Sequence, residues 1–503
     1  MAKYVLVNRR AGKFTPQAKA ASRASVATVL TQLGPAAKLA DHDPDDKLAR
    51  RVVILEAEAD EIAEMQKTLP ADAIIEPMIQ RSLHPRRTPI ELKPAQPLAV
   101  SLQSAQSLTY RVTVKGGGKP LAGIEVMFYL RDPGNQIRTV NVTTDKTGKA
   151  SIGVPPGHVV SFVEPIPYAG FWIMLAEAPP SGSTIDCLPI VKSGAGGGAW
   201  WHQAMSVDVT DTNRGAGIRV GVIDTGCGPH PNLSHVTLVG AFVDGTTLPP
   251  AQAKDVAEHG SHTSGIIGAR PSKAGEYAGM APGCDLFHAR VFKGEGPQDG
   301  PSQADLINAI DALSRDHQCD LINMSLGGAP PSQAEEDAIR DAAERGTLCI
   351  CSAGNDAGPI NFPGAYPECA AVSAIGQIGW APPGTFSFGN RPKDPQRLGQ
   401  ENLFLATFSC FGSTLACAAP GVGIVSTVPA KSGLPAPYME MDGTSMASPA
   451  ACGALADVLA KDANYKSLPR DISRTNAARA LLAQHCHPFG LAIKFEGRGL
   501  PRI

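Results

Sequence analysis

The stretch Met441-Asp442-Gly443-Thr444-Ser445-Met446-Ala447-Ser448-Pro449-Ala450 decides how this 503-residue chain reads. A small polar turn, Asp442-Gly443-Thr444, delivers Ser445 onto an apolar run that continues through Ala451, Cys452, Leu455 and Leu459. That is the pattern of a loop feeding a buried helix. Free N–H groups and the helix dipole favour negative charge at such a start. A serine there is ordinarily a helix cap. A nucleophilic role requires, elsewhere in the chain, a base and a group that orients the base.

Working outward, near-continuous apolar runs of strand length recur at residues 218–223, 285–291, 321–324, 347–352 and 370–374, with helical patterns at 303–315 and 332–345 between them. Alternating strands and helices with unbroken apolar strands predict an α/β fold, a parallel sheet with helices on both faces. In such sheets chemistry gathers at the carboxyl ends of the strands. The first strand ends in Asp224-Thr225-Gly226, and His259-Gly260-Ser261-His262 opens a run of small residues. Ser352-Ala353-Gly354-Asn355-Asp356 closes a further strand. Singly these read as a turn carboxylate, a structural histidine and a turn amide. Together with Ser445 they supply an orienter, a base, an oxyanion donor and a nucleophile, in the chain order Asp, His, Ser.

Upstream, residues 1–90 read as a small α/β unit, with strands at 4–7, 51–55 and 73–79 and helices at 18–33 and 59–69. Residues 96–185 read as a β-sandwich: Thr109-Tyr110-Arg111-Val112-Thr113-Val114 alternates, and Asp145-Lys146-Thr147-Gly148 is a hairpin turn. His158 stands there without a partner and reads as structural. Residues 186–199, with Ser193-Gly194-Ala195-Gly196-Gly197-Gly198, read as a flexible linker, and residues 200–503 as the domain carrying the constellation. A net charge of −2 argues against nucleic acid or an anionic membrane as partner. No apolar stretch reaches the length of a membrane span. The first ten residues lack the apolar core of an export signal, and the eleven cysteines are odd in number and sit in buried-looking runs such as Leu348-Cys349-Ile350-Cys351. Both features predict a reducing, cytoplasmic setting and leave export without a signal open.

Residues 200–503 resemble the subtilisin-like (subtilase) serine peptidases. Val222-Ile223-Asp224-Thr225-Gly226 is similar to the family's Asp motif, His259-Gly260-Ser261-His262 to its His motif, and Gly443-Thr444-Ser445-Met446-Ala447-Ser448-Pro449 to its Ser motif. Ser325-Leu326-Gly327-Gly328 resembles the segment that pairs with the substrate backbone, and Ala353-Gly354-Asn355 the oxyanion segment. The resemblance implies a serine endopeptidase working through an acyl-enzyme: Ser445 as nucleophile, His259 as base and then acid, Asp224 as orienter, Asn355 as oxyanion donor. It leaves His262 a structural role. It implies a primary pocket lined by Ser325 to Gly328, Ala353, Gly354 and residues 361–364, made more polar by Asp356 and Asn361.

Residues 1–90 resemble an inhibitor-type subtilase propeptide. That implies an autoprocessed zymogen with its own N-terminal domain as intramolecular inhibitor, cut between His84 and Trp200, with Arg86-Arg87 and the glycine stretch as candidate sites. The sandwich loosely resembles Ig-like modules, and a partner for it is left open. The alternative reading is a binding or scaffold protein whose peptidase domain is kept inhibited. At the family's common calcium position stand Asn232, after His230-Pro231, and Lys273. A cation there opposes a hard divalent ion. That site is expected to be absent, no cofactor is expected, and a different calcium site is left open. Residues 376–408, rich in Gly, Pro and charge, are expected to form an elaborated surface loop.

Overall fold

The structure is a computed structural model describing residues 1–9, 24–31, 38–44, 50–83, 108–294, 296 and 299–503. Its centre is a nine-stranded sheet. The order runs Thr246–Leu248, Thr237–Val243, Asp285–Arg290, Arg219–Asp224, Leu321–Met324, Leu348–Ser352 and Cys369–Gln377, and the last of these pairs with both Leu403–Leu405 and Leu415–Pro420. All pairs are parallel except those made by Thr246–Leu248 and Leu403–Leu405. The unbroken apolar strands have their reason in this layout, since both faces are covered. Val220, Val222, Leu348 and Ile350 join the core of the helix Thr444–Lys461 on one face. Ile223, Ile322, Cys349 and Cys351 join the helices Gln303–Asp311 and Gln333–Glu344 on the other. After Arg219–Asp224 the chain fills one side of the sheet and then crosses to the other at Leu321–Met324, so Asp224 ends the strand where the winding reverses. Ligand crevices open at such switch points.

The N-terminal unit is an antiparallel sheet ordered Lys38–His42, Val52–Ala57, Ala2–Asn8, Ala73–Pro77. Lys38–His42 was not expected. Its residues Lys38-Leu39-Ala40-Asp41-His42 are an edge strand with no buried position, so no apolar alternation marks it. The described part of the expected first helix, 24–31, is helical, and the rest lies outside the described residues. Tyr4, Leu6, Val53 and Leu55 face this unit's own helices. Val5, Val7, Val52 and Ile54 face the other way and share a core with Ala304 and Ile307 of the large domain.

Residues 108–187 form two four-stranded sheets with one core, Val112, Val114 and Ile152 of one sheet meeting Val126, Phe128 and Val163 of the other. The chain then docks on the large domain: Gly170 N–H donates to Tyr438 O (3.0 Å) and Ile173 N–H to Glu440 Oε1 (2.9 Å). Trp172 is fully buried, 6.1 Å from the Trp380 ring. Two expectations change here. The segment 376–408 is in part a docking platform, where Phe386 N–H donates to Ile173 O, and in part a buried strand of the central sheet. The glycine stretch is a packed turn: Ala278 N–H donates to Gly197 O (3.1 Å), and a Cβ on Gly197 would stand 2.7 Å from Ala278 N. Those glycines provide close approach to the large domain, which composition cannot distinguish from looseness.

Among the described residues no helix is long and apolar enough to cross a membrane. All eleven cysteines are buried free thiols. Trp172→Ala should lower stability by ~3–5 kcal/mol, the usual cost of emptying a buried tryptophan site. The check is a lower denaturant midpoint together with faster proteolysis between the sandwich and the large domain.

Candidate active site

Asp224 closes the central strand with no exposure, and its carboxylate is fully engaged. Oδ1 lies 2.8 Å from His259 Nδ1 and accepts from Thr225 N–H (2.7 Å), while Oδ2 accepts from the Thr263 hydroxyl (3.1 Å). His259 opens the helix His259–Gly268. That helix can sit so close because Gly260 has no side chain: a Cβ there would be 2.1 Å from Gly226 O. Its first turn is tied down by the Gly260 N–H to Thr225 Oγ1 bond (2.8 Å) and the Ser261 N–H to Asp255 Oδ2 bond (2.7 Å). Thr225 Oγ1 in turn donates to Asp255 Oδ1 (2.8 Å).

Ser445 is the second residue of the helix Thr444–Lys461, which packs against the histidine helix. Pro449 lies four residues on and has no N–H to give to the Ser445 carbonyl. The Ser325 hydroxyl satisfies that carbonyl instead (2.8 Å), while the Ser445 hydroxyl donates to Ser325 O (3.2 Å). This double link holds the nucleophile candidate against the strand end that begins Ser325-Leu326-Gly327-Gly328. Asn355 is held by Thr444, whose N–H (3.0 Å) and hydroxyl (2.9 Å) both donate to Asn355 Oδ1. The amide Nδ2 is thereby turned towards Gly443. A Cβ on Gly443 would come 3.3 Å from Asn355 Nδ2 and 3.5 Å from Ser445 N, so both donors border one space that the glycine keeps open. Two donors converging on one point can hold a developing oxyanion.

Burial lowers the His259 pKa, but the Asp224 charge and hydrogen bond outweigh it and hold the imidazole above its ordinary value. Burial raises the Asp224 pKa, and His259 outweighs that, leaving the carboxylate below its ordinary range. His262 directs Nε2 at the carbonyls of Ile424 and Met439, and burial takes its pKa down to about 3, as befits a neutral structural histidine. The His158 ring stands 3.2 Å from the nearby Pro156 carbonyl. Sequence reading passed over Thr225, Asp255, Thr263, Thr444 and His288. His288 Nε2 accepts from Gly226 N–H (3.1 Å) and Nδ1 faces the Ser264 hydroxyl (2.9 Å). Thr225 and Thr444 stood inside the quoted motifs and Asp255 four residues before His259, whereas Thr263 and His288 carried no such signal.

The segment expected to pair with substrate is paired instead with the chain's own residues. Ser82 and Gly327 exchange two backbone hydrogen bonds of 3.0 Å, and Arg81 N–H donates to Pro301 O on the opposite side (2.8 Å). Residues 79–82 thus form a short strand between 301–303 and 327. Farther back, Glu76 accepts from Gln333 N–H (3.1 Å) and from the Ser332 hydroxyl at the start of a helix, where a carboxylate is favoured. His84 and Arg86-Arg87, expected near a cleavage point, lie outside the described residues. In the pocket wall Asn361 Nδ2 donates to Asp356 Oδ2 (2.8 Å), and Gly354 makes room for that amide.

At the calcium position Asn232 Nδ2 donates to Glu276 (3.0 Å) and to the Tyr438 hydroxyl (2.6 Å), and the N–H groups of Ser272 and Lys273 also bond Glu276. One carboxylate already saturated with donors, beside the orphaned Asn232 Oδ1, does not make the six to eight oxygens that calcium takes. These residues do not fit the ion.

The profile of the Subtilase family matches residues 215–485. The chain is 31% identical to the "Major intracellular serine protease" of Bacillus subtilis (strain 168), over 57% of this chain and 81% of that protein. It is 31% identical to the "Intracellular serine protease" of Paenibacillus polymyxa, over 58% and 81% respectively. Against "Subtilisin Savinase" of Lederbergia lenta the figures are 30%, 55% and 89%.

The electrostatics have a definite sign. Asp224 favours the protonated imidazole, so His259 should titrate above the ~6.5 of an unperturbed histidine. His262 and His288, at about 3 and about 4, should stay neutral at that point. NMR titration of the imidazole resonances checks the order. Asp224→Asn should move His259 down and leave the other two neutral, because the Asp224 charge raises all three.

Proposed function

The chain belongs to the subtilase family and is a serine endopeptidase, and on that premise we propose that Asp224, His259 and Ser445 are its triad, with Asn355 Nδ2 and the Ser445 N–H as oxyanion donors. The observation that carries this assignment is the 2.8 Å Asp224–His259 bond beside a serine presented at a helix start. His259 Nε2 takes the Ser445 proton as Oγ attacks the scissile carbonyl, and the two donors hold the oxygen as it becomes negative. The bond to the amine breaks as His259 returns the proton to it, leaving an acyl group on Ser445. Water, deprotonated by the same imidazole, releases the acid and restores the hydroxyl. Asp224 keeps the ring oriented and stabilises its charged form. The hydroxyl turns from Ser325 towards His259 for the attack. Ser325 to Gly328, Ala353 and Gly354 hold the substrate backbone and first side chain.

Residues 1–90 act as an intramolecular inhibitor, a reading supported by the strand at 79–82 beside Gly327 and the Glu76 helix cap. The chain is made as a zymogen and cuts itself between His84 and Trp200. Protein and peptide segments able to lie extended are its substrates. The eleven buried thiols suit a reducing compartment, and catalysis needs no metal or cofactor. The buried docking of the N-terminal unit also favours the second reading, a scaffold whose peptidase stays blocked.

A fluorophosphonate probe should label the chain at Ser445 and leave Ser445→Ala unlabelled; a folded wild type that stays unlabelled would sink the triad. Asn355→Ala should cut kcat by about 10²–10³ with little change in KM, the loss known for the corresponding donor in subtilisin itself. Intact mass should show shortened wild type beside full-length Ser445→Ala. If both remain whole, self-processing fails and the blocked scaffold gains.

A further inference from the structure

We propose that Glu335 is the floor of a substrate subsite that selects arginine. The proposal rests on the reading that residues 79–82 lie where a substrate lies. Within that strand the backbone contacts are of the kind any extended peptide makes, N–H and C=O groups of Arg81 and Ser82 against Pro301 and Gly327. They carry affinity without choice of sequence, and choice is left to the side-chain pockets. The Arg81 side chain is the one that enters the large domain here, and it has no exposure.

Its guanidinium meets Glu335 as a fork. Nε donates to Oε1 (3.2 Å) and Nη2 to Oε2, while Nη1 donates to the Pro330 carbonyl (2.6 Å). The Glu335 carboxylate is itself unexposed, and Tyr366 Oη stands 3.0 Å from its Oε2. Gly328 lines the pocket: a Cβ there would come 3.4 Å from Arg81 Nη1, in ordinary contact. Every element of this pocket except the arginine comes from the peptidase domain. Among the described residues, Arg81 is the cation paired with Glu335. When the N-terminal strand leaves, a buried carboxylate loses its counter-ion, which is unfavourable. The pocket then takes a guanidinium from another peptide. Two parallel N–H···O bonds and the carbonyl at the third corner match arginine, and the compact ammonium of lysine cannot reproduce them.

The register says which residue it is. The pairing is antiparallel, and the Ser325 carbonyl holds the Ser445 hydroxyl. A substrate residue facing Ser325 is therefore next to the nucleophile, the residue two before it faces Gly327, and the residue before that takes the place of Arg81. The selected arginine stands three residues upstream of the residue whose carbonyl is attacked.

The test uses the full chain carrying Arg81→Ala and Ser445→Ala. Fluorescence anisotropy reads its binding of labelled peptides that differ only at that position, with arginine, citrulline, lysine or alanine. Arginine should bind ~10-fold or more tightly than citrulline, which keeps the shape and loses the charge. Adding Glu335→Gln should bring the two within twofold. The citrulline comparison stands by itself if that variant misfolds. Equal affinity for arginine and citrulline, or no binding of either, overturns the subsite. Cleavage by Arg81→Ala with Ser445 intact is read separately. If it is no faster than wild type while arginine is still preferred, the inhibitor reading fails and the subsite survives.

Discussion

Asp224 carries a charge at a point with no access to water, and much of the surrounding arrangement makes that tenable. A buried carboxylate is stable only when paired and fully hydrogen-bonded. Here Thr225, Thr263 and His259 occupy its oxygens. The same bonds fix the height and rotation of the histidine helix on the sheet. Asp255, whose pKa burial lifts to about 6, ties the helix start to the strand end through Thr225 and Ser261. The imidazole is therefore oriented by the packing of the domain.

The second helix start is settled by an exchange. Pro449 withholds an N–H from the Ser445 carbonyl, and Ser325 replaces it from a neighbouring strand end while receiving the Ser445 hydroxyl. Ser445, the strand end at Ser325 and, through Thr444, the Asn355 amide thus become one hydrogen-bonded cluster. Preorganised donors of this kind need no rearrangement as charge develops, and in such sites that is the largest single contribution to rate.

The accessory parts bind to this frame by different means. The N-terminal unit contributes an apolar face, a carboxylate at a helix start and a short strand paired with Gly327, so its hold depends on burial, dipole and backbone pairing together. The sandwich is attached through a short segment around Trp172 that meets Trp380 and the strand leading into the serine motif. The residues between 376 and 408 support that contact, which gives this extra segment a structural purpose.

The parallel sheet was legible because strands buried on both faces must be apolar throughout, and that composition is local. The candidate site was legible because Asp224, His259, Asn355 and Ser445 each sit within short motifs at strand ends and helix starts. The edge strand Lys38–His42 was not, since a half-exposed strand needs no apolar pattern. Nor was the packed state of Ser193 to Gly198, because a glycine that admits a neighbour looks in sequence like one that loosens a chain. Thr263, Asp255 and His288 lie far from Asp224 in the chain and acquire meaning only when the helix docks. By itself the sequence determined the sheet, the family and the candidate residues of the site, because these depend on residue type and short spacing. Only the tertiary structure decided which donors hold each group, what fills the cleft and that Arg81 meets Glu335, because a pairing across 254 residues is made by packing and leaves no mark in either neighbourhood.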